Sequence, residues 1–171
     1  WENISDGYFK SATVGALTVA QSDPNVIYAG MGETTIRIDV SYGDGVYKST
    51  DGGKSWQNMG LKRSGHIGQI AFHPNDPKTV FVAALGPLWS DGGERGLYKS
   101  TDGGDNWQKL LDVDDFTGVN EFIIDPDNPD RIIVSTYERY RRTWAVINGG
   151  PGSALYRTEN GGETWEKLSA G

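Results

Sequence analysis

The 171 residues contain no cysteine, which removes disulfide staples, thiolate zinc sites and cysteine nucleophiles together. Histidine is nearly absent too: His66 and His73 are the only two. No run of residues approaches the roughly 20 apolar positions of a membrane-crossing helix, and no signal-peptide pattern is present. Basic residues are outnumbered, 16 Lys and Arg against 23 Asp and Glu, for a net charge of −7. The acidic residues are scattered along the chain. A phosphate-backbone partner needs clustered cations, so nucleic acid is excluded as a partner. No segment sustains a helical period. The sequence implies no cofactor and no metal.

What the sequence holds in excess is glycine (24) and tryptophan (6), a mixture suited to many tight turns with large apolar anchors. These residues recur in register. Gly45 to Met59 reads GVYKSTDGGKSWQNM, Gly96 to Leu110 reads GLYKSTDGGDNWQKL, and Ala154 to Leu168 reads ALYRTENGGETWEKL. The first four residues, WENI, match the tail of the same unit. The landmark residues Trp1, Trp56, Trp107 and Trp165 are 55, 51 and 58 positions apart. Two more segments recur in each period. One is a short apolar run into a proline turn: GALTVAQSDP at Gly15, GQIAFHPNDP at Gly68 and VNEFIIDPDNP at Val119. The other is a β-branched run: NVIYAG at Asn25, TVFVAA at Thr79 and RIIVST at Arg131.

Each period thus supplies four short strands, A to D in chain order. Four-stranded units of about 50 residues predict an all-β fold of the β-propeller type. The blade repeats run over about 5–60, 61–111 and 112–171, and residues 1–4 read as the outer strand of a preceding blade. Propellers close with about four to eight blades. Three blades and an extra D strand therefore predict an arc of a larger ring, completed by the remaining blades of a longer chain or by further copies.

The C–D turns fit S-x-D-x-G-x-x-W: Ser49, Asp51, Gly53 and Trp56 in the first, then Ser100, Asp102, Gly104 and Trp107 in the second. The third replaces Ser with Thr158 and Asp with Asn160, keeping Gly162 and Trp165. This is the Asp-box, or BNR repeat, found in sialidases, sortilin-type receptor domains, xyloglucanases and a photosystem assembly factor. Its chemistry is structural. The hydroxyl and carboxylate hydrogen-bond the backbone of their own turn, and the glycines supply positive φ. One central site does not need an acid in every outer turn, so no catalytic residue is assigned.

In a propeller the B–C and D–A loops share one face, opposite the Asp-boxes. The long B–C loops are Gly30 to Gly45, Leu85 to Gly96 and Tyr137 to Ser153. Long loops are where binding residues concentrate. The candidates are Glu33, Arg37, His66, Trp89, Arg95, Tyr140, Arg141 and Trp144. Aromatic rings beside Arg and carboxylates suit sugar rings or a peptide segment.

The Asp-boxes, with GMGETTIR, GHIGQIAFHPNDP and NGGPGSALYRT, resemble the amino-terminal blades of large bacterial sortilin-like (Vps10-type) BNR-repeat proteins. The resemblance implies a larger propeller, export to the periplasm or cell surface, and a non-catalytic binding or scaffold role toward a protein segment or polysaccharide. Its alternative is a part of a glycoside hydrolase, sialidase- or xyloglucanase-like. Sialidases gather three arginines around a carboxylate with a Tyr–Glu pair. Arg37, Arg95 and Arg139 do fall in three successive B–C loops beside Tyr137 and Glu138, but the family's R-I-P motif is absent.

Overall fold

The computed structural model describes residues 1–35, 37 and 39–168. The described residues form thirteen strands: β1 (Val14–Ala20), β2 (Asp23–Met31), β3 (Val46–Ser49), β4 (Gln57–Asn58), β5 (Ile67–His73), β6 (Asp76–Ala84), β7 (Gly96–Ser100), β8 (Gln108–Leu111), β9 (Thr117–Ile124), β10 (Ile132–Arg142), β11 (Ala145–Asn148), β12 (Leu155–Thr158) and β13 (Glu166–Leu168). They make three antiparallel meanders, β1-β2-β3-β4, β5-β6-β7-β8 and β9-β10-β12-β13. The strands alternate apolar residues that face the neighbouring sheets, which fixes their register.

Sheets stack in sequence order. Tyr28 and Val46 of the first pack on Ile67, Ile70, Val80 and Val82 of the second. On its other side the second sheet packs Phe81, Ala83 and Leu97 against Phe122, Ile132 and Val134 of the third. The pairings Ala29↔Tyr47, Val82↔Tyr98 and Val134↔Tyr156 align the blades residue by residue. In that alignment Leu17, Ile70 and Phe122 hold one position. Ile70 is 6% and Phe122 2% exposed, whereas Leu17 is 66% exposed. At the opposite end Leu155 occupies the place of Leu97, and it is 48% exposed where Leu97 is fully buried. The arc thus ends on two apolar faces that repeat its internal interfaces.

One loop differs from the sequence expectation. Tyr137 to Ser153 is no irregular connection: β10 runs on to Arg142, turns at Thr143 and Trp144, and returns as β11. The alternation of Tyr140, Val146 and Asn148 with their neighbours is a strand pattern, and Arg139↔Asn148 through Arg142↔Ala145 pair across it. Residues 1–4 pair with no strand among the described residues.

Candidate functional site

At one end of the sheets the three Asp-boxes repeat one geometry. Ser49 Oγ accepts from Gly53 N at 2.8 Å and donates to Asp51 Oδ1 at 2.8 Å. Asp51 then accepts from Ser55 N at 2.9 Å and Ser55 Oγ at 2.6 Å. Asp102 does the same toward Asn106, whereas Asn160 accepts from Thr164 N through its Oδ1 and donates to the Thr164 hydroxyl through its Nδ2. These bonds hold the Asp51 carboxyl down at about 2, the Ser55 hydroxyl being the largest cause, and push Asp102 down likewise through Asn106 and Ser100. Gly53 (φ +87°), Gly104 (φ +98°) and Gly162 (φ +96°) occupy left-handed backbone, and a side chain there would press on Ile4, Met59 and Leu110 respectively.

Each box tryptophan reaches across to the blade before it. The Trp107 indole donates to Met59 O at 2.8 Å, Trp165 to Leu110 O at 3.0 Å, and Trp56 to Ile4 O at 3.0 Å. Each acceptor lies three residues after the preceding landmark tryptophan, so Ile4 holds toward Trp56 the place that Met59 holds toward Trp107. The carboxylates are committed to their turns.

The opposite end gathers the loops, and here nothing repeats. Arg95 is buried and fully engaged. Its Nε donates to Gly92 O at 2.9 Å, Nη1 to Leu85 O at 2.8 Å and Phe116 O at 3.3 Å, and Nη2 to Ser90 O at 2.9 Å and to Pro87 O. It pins the Leu85–Gly96 loop from inside and offers no donor to solvent. His66 is also fully buried. Burial, with the charge of Arg139 as a second cause, holds its imidazole at about 4, so it is neutral at pH 7. Tyr42 lies 4.9 Å from it, centroid to centroid.

Arg37 is exposed and paired within its own loop, 2.5 Å from Glu33 and 3.5 Å from Asp39. Arg139 is buried, with Nη1 donating to Thr34 O at 2.8 Å. The three arginines of successive B–C loops therefore do not share an open centre. Glu33, Glu94 and Glu138 are likewise held by their own surroundings: Glu94 accepts from Arg63 N at 2.6 Å and Glu138 from Gly152 N at 2.9 Å.

The open part of this face is an aromatic and arginine platform. Trp89 is 39% exposed; its N donates to the Tyr42 hydroxyl at 2.9 Å, and the Arg141 guanidinium lies 5.6 Å from its ring. Arg142 donates to Trp89 O at 2.8 Å and sits 5.5 Å from the Tyr140 ring, which packs on Phe116 at 4.7 Å. At the tip of the β10–β11 hairpin Trp144 is 83% exposed. Of the residues named from the sequence, the structure brings Trp89, Tyr140 and Arg141 to this surface and sets Trp144 at the hairpin tip; Tyr42, which no motif marks, joins them through Trp89.

The model of the sortilin–Vps10 family (sortilin, neurotensin receptor 3) matches residues 44–171, well over half of the chain. A xyloglucanase of Acetivibrio thermocellus is 28% identical over 166 residues, covering 85% of this chain and 18% of that protein. One of Hypocrea jecorina is 27% identical over 141 residues, covering 75% and 16%. The solved GH74 xyloglucanase of Xanthomonas campestris matches with a TM-score of 0.65 at 20% identity, over 99% of this chain and 25% of that one. The chain thus spans less than a fifth of the length of these two curated relatives. From the boxes in register, the stacked meanders and the extent of the family match, the chain belongs to the sortilin–Vps10 family and is an arc of a larger β-propeller.

Proposed function

We propose that this chain is a non-catalytic binding arc of an exported protein, and that its loop face holds a polysaccharide. The carrying observation is the platform of Trp89, Arg141, Tyr140 and Arg142 with Trp144 standing free beyond it. Exposed rings stack on sugar faces, and guanidinium groups beside them donate to hydroxyls. The loop-face acids Glu33, Glu94 and Glu138 are held within their own surroundings, whereas a glycosidase needs two carboxyls about 5–10 Å apart. Calorimetry with xyloglucan oligosaccharides tests this. Trp89→Ala and Trp144→Ala should each weaken binding by about 3–10-fold, the worth of about 0.5–1.5 kcal/mol for an aromatic contact. A folded wild-type chain that binds no polysaccharide rejects it, and capture of a peptide instead moves the reading to a protein segment.

A second reading has one observation in its favour: the curated relatives are xyloglucanases. On that reading the arc contributes to a glycoside hydrolase. Glu94→Gln and Glu138→Gln in the natural full-length protein separate the two readings, because an enzyme using these acids loses turnover while retaining sugar.

The exposed end faces support completion by further blades of the same kind. Leu17 and Leu155 are uncovered at positions that Ile70 and Leu97 show buried beneath a neighbouring sheet. Residues 1–4 then belong to the blade preceding the first sheet. Light scattering on the chain with Leu17→Asp and Leu155→Asp tests whether those faces associate.

A further inference from the structure

We propose that Arg139 and His66 form a buried site for a small carboxylate. The two arginines at the heart of the loop face are both desolvated, yet they are treated differently by the fold. Arg95 gives its guanidinium to five backbone carbonyls. Arg139, equally buried, has one, Thr34 O. Its Nε and Nη2 have no hydrogen-bond partner, and no carboxylate forms an ion pair with it among the described residues. Both ring nitrogens of His66 and the Oγ of Ser64 are buried without a partner as well.

A guanidinium does not escape burial by losing its proton at ordinary pH. Left without a counter-group, it is strongly destabilising. The two free donors are adjacent: Nε and Nη2 form the side-on edge of the guanidinium, the fork whose two parallel N–H groups match a carboxylate's two oxygens. A water molecule would meet the hydrogen bonds and leave the charge. His66, near enough for the charge of Arg139 to act on its imidazole, adds an unpartnered ring N–H from the neighbouring D–A loop. Thr34, whose carbonyl takes the third nitrogen, also walls a cavity of about 280 Å³ with Gly68, Gln69, Asn120 and Glu121. Full burial of Arg139 limits the occupant to a small acid or to one carboxylate presented on a narrow carrier. The proposal does not depend on the polysaccharide reading, since neither Trp89 nor Trp144 takes part.

The test uses the whole chain with formate and acetate, against chloride at equal ionic strength, and reads two signals: the thermal midpoint and the NMR resonance of the Arg139 Nε–H. The expected result is a saturable rise in the midpoint with a downfield shift of that one resonance. Arg139→Lys keeps the charge and removes the fork, and should weaken half-saturation by about tenfold or more. Trp89→Ala should leave the response unchanged. Glucuronate in place of acetate assigns the source: binding tighter than acetate points to an acidic sugar, and binding of acetate alone points to a free acid. Should R139K fail to fold, the wild-type resonance still decides. No saturable response in the wild type, or an undiminished one in R139K, overturns the proposal.

Discussion

The two ends of the sheets solve the same problem, ordering a connection between strands, by opposite means. The Asp-box end uses bonds between residues two and four positions apart, repeated three times with the same atoms. The loop end uses contacts between residues far apart in the chain: Arg139 to Thr34 across 105 positions, Trp89 to Tyr42 across 47, and Arg142 to Trp89 across 53. Local bonds can be copied from blade to blade because they need only their own turn. At the loop end each cross-blade bond exists once, since each depends on two loops of different length. Repetition therefore marks scaffold, and its absence marks the surface free to specialise.

The largest expected break in this contrast lies where the scaffold crosses blades. Trp107→Ala removes a ring packed in the first core cluster and its bond to Met59 O, and should cost about 3–5 kcal/mol in urea unfolding. Trp56→Ala should cost less, because its acceptor Ile4 lies exposed. Equal losses would show that the first and second boxes are packed alike.

Arg95→Lys is the next largest. Three ammonium donors cannot serve five carbonyls, and each buried acceptor left unmet costs about 1–3 kcal/mol. The expected loss is about 2–3 kcal/mol, with hydrogen exchange rising in Leu85–Gly96 and staying low in the Asp-boxes. Uniform loss of protection would deny Arg95 a local role.

Acid should dismantle the two ends in sequence. The buried imidazole of His66 is held near 4 against its usual 6.5, so the unfolded chain binds the proton first. Its contribution is complete above pH 6.5 and is lost as pH falls toward 4. The Asp51 carboxyl is held at about 2 against 3.8, so its contribution is complete above pH 3.8 and is lost as pH falls through 2. Loop-face amide resonances should therefore shift before those of the first box. His66→Gln removes the earlier step, and a single simultaneous transition would refute the order.

The smallest effect sharpens the comparison within the repeat. The third box carries Asn160, which bonds Thr164 without a titrating group. Asn160→Asp should change stability at pH 7 by no more than about 0.5 kcal/mol, yet make the third box acid-sensitive like the first two. A third box already melting with the others at low pH would mean that the carboxylates are not what acid attacks.

The sequence carried the boxes and the strands because their causes are local. Gly53 must reach positive φ, Ser49 and Asp51 bond within four residues, and the continuous apolar run of Val80 to Ala84 needs no partner to be visible. It carried the exposed members of the platform as well, Trp89 and Trp144, because a tryptophan in a polar loop is conspicuous. It did not carry the β10–β11 hairpin: the run from Tyr137 to Ser153 mixes charges with β-branched residues, and a connection between two strands of one blade reads as loop. Nor did it distinguish three arginines that stand alike in B–C loops.

By itself, then, the amino-acid sequence determined the all-β repeat, the turn chemistry and the blade register, all set by interactions between near neighbours in the chain. Only the tertiary structure decided that Arg37 is paired at the surface, that Arg95 is saturated by carbonyls and that Arg139 is buried with its fork free. Desolvation decides those roles, and desolvation is a property of which loops meet, which no residue carries alone.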